Sequence, residues 1–216
     1  MDPETARHWF LPLHAIVGLA ALVGGFGAMS VPKGGSAHRR LGQLFVLGMA
    51  GAIVAAVPVL WATRNLFLTG MGLVAAYMTF MGWRLARTRG QLGAPERGVA
   101  RGMMVAGSLF GLLGLRVLLG GQSLGVVAAA MGFGSVALGR QHLRWMSADP
   151  GQREPWVTQH IGAISGGLIA GLTALGAAAG TNYLPVVPEP VYWLGPALIL
   201  GPIFRRFATY HKETFR

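Results

Sequence analysis

Polar residues interrupt this chain seldom and at intervals. Between them lie seven apolar runs, at 10–31, 41–62, 65–86, 102–119, 123–140, 157–180 and 191–208. Each is near the ~20 residues that an α-helix needs to cross the hydrocarbon core of a bilayer. The pattern predicts an all-α fold, a polytopic transmembrane bundle of seven helices built as a single integral-membrane domain over residues 1–216. The fourth and fifth runs are parted only by "GGQS", and the fourth contains Arg116. If residues 102–140 instead form one bent or re-entrant element, the count falls to six. No polar stretch is long enough for a separate soluble domain. The opening "MDPETARHWF" lacks the basic n-region of a signal peptide, so the first run reads as a retained helix.

Orientation comes from the basic residues. With seven crossings, one side receives every lysine and arginine except Arg7, Arg64 and Arg116, out of 18 in the chain. Short connections are where the positive-inside rule holds best. It puts the amino terminus outside and the carboxyl terminus in the cytoplasm. All six tryptophans, Trp9, Trp61, Trp83, Trp145, Trp156 and Trp193, fall near the ends of runs, where amphipathic rings favour the lipid–water interface.

Composition supports this setting. Charged residues make up 12% of the chain, against about 25% in soluble proteins. The net charge of +11 does not indicate nucleic acid, because the basic residues lie between apolar runs and not along one soluble face. They suit anionic lipid headgroups at the cytoplasmic face. The absence of cysteine excludes disulfides and thiolate metal sites. Glycine pairs four apart, Gly107/Gly111, Gly162/Gly166, Gly167/Gly171 and Gly176/Gly180, favour close helix packing, with a groove for a flat cofactor as the lesser reading.

The runs hold no Asp or Glu, which weighs against a cation-coupled transporter and against a carboxylate-based membrane hydrolase. Histidines are then the candidates for chemistry. His14 lies in the outer part of the first run, while His38, His142 and His160 stand at the inner ends of the second, fifth and sixth. Three imidazoles at one depth, His38, His142 and His160, suit a metal ion such as Zn, Cu or Fe. Two of them suit a haem, with Arg39, Arg40, Arg140 or Arg144 near its propionates. A quinone, hydrogen-bonded by histidine, is the third choice. Against these stands a structural role, in which each ring bonds a backbone carbonyl or a headgroup. Arg39 and Arg40 also serve as topology determinants, and Arg116 as a snorkelling side chain. His8 and His211 are expected in solvent. The turn signal Asp149-Pro150-Gly151 would fold the chain so that His142 and His160 face each other.

Three segments, "LHAIVGLAAL" (13–22), "HRRLGQLFVLGM" (38–49) and "QHIGAISGGLIAGLTAL" (159–175), together with the closing "WLGPALILGPIF" (193–204), resemble a family of uncharacterised bacterial membrane proteins. The His-Arg-Arg-Leu-Gly element is the most specific part of the likeness. The resemblance implies a compact multi-pass protein of the bacterial inner membrane with His14, His38 and His160 at motif positions, and it implies no substrate. A weaker likeness is to small membrane cytochromes b. The chain departs from their two-haem form, since its outer half offers only His14. The expectation is therefore a membrane protein binding one redox cofactor, haem b or quinone, for electron transfer. A small solute carrier or channel and a non-catalytic scaffold are the alternatives.

Overall fold

The computed structural model describes residues 2–183 and 186–214, excepting the side chains of Thr181 and of 211–214. Seven helices and no strand occur among the described residues: α1 Pro3–Ser30, α2 Ser36–Thr63, α3 Leu66–Thr88, α4 Ala94–Leu119, α5 Leu124–Ser147, α6 Trp156–Tyr183 and α7 Glu189–Thr214. The first six are long and apolar enough to cross a membrane. In α7, two Gly-Pro pairs, Glu189, Arg205 and Arg206 dilute the apolar character below that of the others.

Local chemistry sets the helix ends. Asp2 caps α1 by accepting from the Thr5 amide at 2.9 Å, and Pro3 opens the helix where its missing N–H costs nothing. The α1–α2 turn passes through Gly34 at φ +76°. Lys33 closes α1 by donating to the Met29 and Val31 carbonyls, and desolvation there lowers its pKa from the ordinary value. Asn65 accepts from the Leu68 amide to start α3. The Gly93 amide donates to Glu96 at 2.8 Å to start α4. Gly121, at φ +81°, turns α4 into α5, so residues 102–140 form two helices and not one bent element.

The helices outrun the apolar runs. The runs mark where side chains suit lipid, whereas a helix continues until a cap or turn stops it. α4 begins at Ala94, which brings Glu96 inside a helix, and α5 continues to Ser147, which carries His142 a full turn in from the end.

The chain divides into two compact units, Met1–Gly72 and Leu73–Arg216, with the boundary inside α3. In the first, α1 packs on α2 through small residues. A Cβ added at Gly48 would fall 2.8 Å from Ala21 Cβ, and one at Gly24 would fall 2.7 Å from the Phe45 amide nitrogen. In the second, α4 lies on α5, and α7 packs on α6 and α5. Its core joins Val74, Tyr77, Met78, Met81 and Leu85 of α3 to Ala100 and Met103 of α4, Trp145 and Met146 of α5, and Ala163 of α6.

Candidate functional site

In the first unit, α1 and α2 exchange histidine hydrogen bonds. His14 Nδ1 lies 2.8 Å from the Ala52 carbonyl oxygen, and His38 Nδ1 lies 2.9 Å from that of Ala28. A carbonyl only accepts, so Nδ1 carries the proton in both rings, and the neutral ring keeps its lone pair on Nε2. The two bonds are reciprocal. Residues 14–28 ("HAIVGLAALVGGFGA") and 38–52 ("HRRLGQLFVLGMAGA") share His, Gly, Gly, Gly and Ala at matching places, at 14, 18, 24, 27 and 28 and at 38, 42, 48, 51 and 52. Each copy supplies a histidine to the alanine carbonyl ending the other. At 1.5 Å per residue the two histidines stand roughly 21 Å apart along the pair. Glycines at 24 and 48 permit the approach.

In the second unit both histidines dock on α3. His160 Nδ1 donates to the Gly82 carbonyl at 2.8 Å, with the Trp156 ring 6.3 Å from its own. Gly82 lacks the Cβ that would sit 2.8 Å from the Ile164 amide nitrogen, which is why α6 comes so close. His142 is 4% exposed, and its Nδ1 lies 2.6 Å from the Tyr77 hydroxyl. Either group can donate in that bond. The pair is a polar contact within a core of methionine and tryptophan.

The expected residues therefore have distinct positions. His14, His38 and His160 are half-buried, whereas His142 is buried. His142 and His160 are each held on α3, by Tyr77 and by Gly82. Among the described residues no group of three or more His, Cys, Asp or Glu could hold a metal ion; of the expected set, His38 belongs to the first unit and His142 and His160 to the second. Arg39 donates to the Gly34 carbonyl at 2.7 Å, and Arg40, Arg116 and Arg144 are exposed. His8 is exposed and meets Trp9 edge-on, and the His211 side chain lies outside the described residues.

Other charged residues serve the helix ends. Arg84 of α3 pairs with Glu96 of α4, its Nε donating at 2.6 Å, and Glu96 is 1% exposed. Arg97 and Arg153 donate to the Met146 carbonyl, and Arg153 also to that of Ala148, closing α5. Of the glycine pairs, Gly107 and Gly111 pack against α5, Gly166 against Met78 and Gly180 against Tyr192, while Gly162 and Gly176 have open space where a Cβ would be. Nothing in the apolar pattern singles out Tyr77 or Glu96. The repeat of 14–28 in 38–52, by contrast, was open to a search for self-similarity at a fixed interval.

Comparison of the chain with protein-family models, with curated proteins and with solved structures finds no match.

Proposed function

We propose that this chain is a seven-span protein of the bacterial inner membrane, amino terminus outside, that binds a redox cofactor through its histidines and passes electrons. Haem b is the first choice and a quinone the second. The observation that carries this reading is the pinning of three imidazoles by Nδ1–H···O=C bonds. A histidine that ligates iron donates its other ring N–H to such an acceptor, which fixes the ring and directs Nε2 to the metal. The same tautomer accepts a hydrogen bond from a quinol hydroxyl. Each such ring is thus a donor of the kind that either group would take. Each half-buried ring is a candidate holder taken by itself, His14 and His38 in the first unit and His160 in the second, and exposed Arg39, Arg40 and Arg144 would offset propionate or semiquinone charge. Haem, when bound, supplies one-electron chemistry; the chain supplies orientation, a fixed tautomer and an apolar surround.

Two features support the orientation. The connections 31–35, 89–93 and 148–155 carry Lys33, Arg89 and Arg153, while 64–65 and 120–123 carry only Arg64. Arg205 and Arg206 near the end of α7 favour a seventh crossing that returns the carboxyl terminus to the basic side.

A second reading, a non-catalytic membrane scaffold, draws on the same bonds. All four histidines complete contacts between helices, which is a sufficient structural role. Absorption spectra of the detergent-purified protein, oxidised and dithionite-reduced, with iron and quinone analysis of the same sample, separate the two. A Soret band with sharp reduced α and β bands, or stoichiometric quinone, is the expected result. A colourless protein without iron or quinone after haem-replete expression would overturn the redox reading in favour of the scaffold.

A further inference from the structure

One end of the second unit carries far more positive charge than its fold uses. The short connections 89–93 and 148–155, and the packing of α7 on α6 and α5, bring the carboxyl ends of α3, α5 and α7 together with the amino ends of α4 and α6. Arg84 there is paired with Glu96, and Arg97 and Arg153 close α5. Arg87, Arg101, Arg140, Arg144, Arg205 and Arg206 remain exposed, and among the described residues none of them forms an ion pair. Among the side chains described at this end, the other carboxylates are Asp149 and Glu154, too few to balance them.

The placement of these side chains is chemical information. Arg140 and Arg144 are one turn apart on α5, so they share a face. On α7, which packs against α5, Arg205 and Arg206 border an open hollow of about 490 Å³ together with Pro202, Thr209 and Tyr210. A guanidinium presents a planar fork of donors that matches a phosphate and is poorly replaced by water alone. Arg140 and Arg144 stand near the end of α5, a helix long and apolar enough to cross a membrane, which is the depth of phospholipid headgroups, and Arg205 and Arg206 are on α7, which packs against it.

We propose that this end binds the headgroup phosphate of an anionic phospholipid, gripped in the α7 hollow by Arg205 and Arg206, with Arg140 and Arg144 of α5 adding to the positive charge of the same end. The inference rests on the membrane reading and is independent of any cofactor. Charge complementarity favours an anionic lipid over a zwitterionic one, because choline or ethanolamine would bring a cation to an end already rich in them.

The test is thermal unfolding of the full chain in neutral detergent with added phosphatidylglycerol, phosphatidylcholine or inorganic phosphate. Phosphatidylglycerol should raise the midpoint by several degrees and saturably, as a ligand of the native state does. Phosphatidylcholine should leave it unchanged. R205A/R206A should lose most of the rise while unfolding cooperatively in detergent alone, and R205K/R206K should retain part of it. Equal rises with both lipids, or a full rise in R205A/R206A, would overturn the proposal. A matching rise with inorganic phosphate would assign the site to the free anion, and displacement of the lipid by an acidic peptide would assign it to a protein partner; either overturns the lipid assignment. The membrane reading fails separately, if the chain is recovered from cells in soluble form without detergent.

Discussion

At the scale of single residues, the interhelix bonds have measurable weights. Removing one neutral hydrogen bond costs about 0.5–1.5 kcal/mol in water, and side-chain bonds between membrane helices average ~0.6. His14→Ala and His38→Ala should each destabilise the protein by about that amount, and by similar amounts because the two positions are equivalent. Reversible unfolding in mixed micelles measures both, and a cost at one site with none at the other would contradict the equivalence. Tyr77→Phe keeps the ring and removes the hydroxyl, leaving His142 buried without its partner. Its expected cost is higher, about 1–3 kcal/mol. Asp2 titrates at the amino end: the Thr5 amide and hydroxyl hold its carboxyl below the ordinary 3.8. Its capping contribution is present above that value and lost as pH falls through the lower, folded pKa. Hydrogen exchange at the Thr5 amide should accelerate on that acid side in wild type and show no such step in Asp2→Ala.

At the scale of elements, the α4–α5 pair is a glycine seam. A Cβ at Gly107 would fall 2.7 Å from the Gly132 carbonyl and 3.0 Å from Ser135 Cβ, so two backbones share the space that side chains would fill. Gly107→Leu should abolish folded yield in detergent, whereas Gly134→Ala, which meets nothing within 4 Å, should be neutral or gain up to about 1 kcal/mol from helix propensity. Size-exclusion profiles and melting curves of the two variants check this contrast. Much of this level was legible beforehand. Seven apolar runs became seven helices because hydrophobic length and helix length are linked in a membrane chain. The ends were not legible, since Glu96 extends α4 through a cap and Ser147 ends α5 beneath Arg97, which arrives from 50 residues earlier in the sequence. Histidine partners were not legible either. Three of the four are backbone carbonyls, which any residue provides, so no residue type at Ala28, Ala52 or Gly82 could announce them.

At the scale of the whole molecule, the claim to test is the sidedness of the chain. It has no cysteine, so single substitutions report their own position. Ser123→Cys in the α4–α5 turn should react with a membrane-impermeant maleimide on intact cells, and Gly151→Cys in the α5–α6 connection only after the membrane is opened. The reverse pattern would invert the topology, and labelling of both on intact cells would refute the membrane span between them. The division at Gly72 adds that α1 and α2 have their own interior, whereas α3, half of whose apolar window is buried, is the element around which the second unit is built.

The reciprocal bonds of α1 and α2 also bear on how the protein is made. Both donors and both acceptors lie within the first 52 residues, on helices joined by a short turn. A ribosome that has just released α2 into the insertion machinery has delivered everything this hairpin needs. The pair is able to lock while α3 is still within the ribosome, so that each later helix would meet a hairpin already formed.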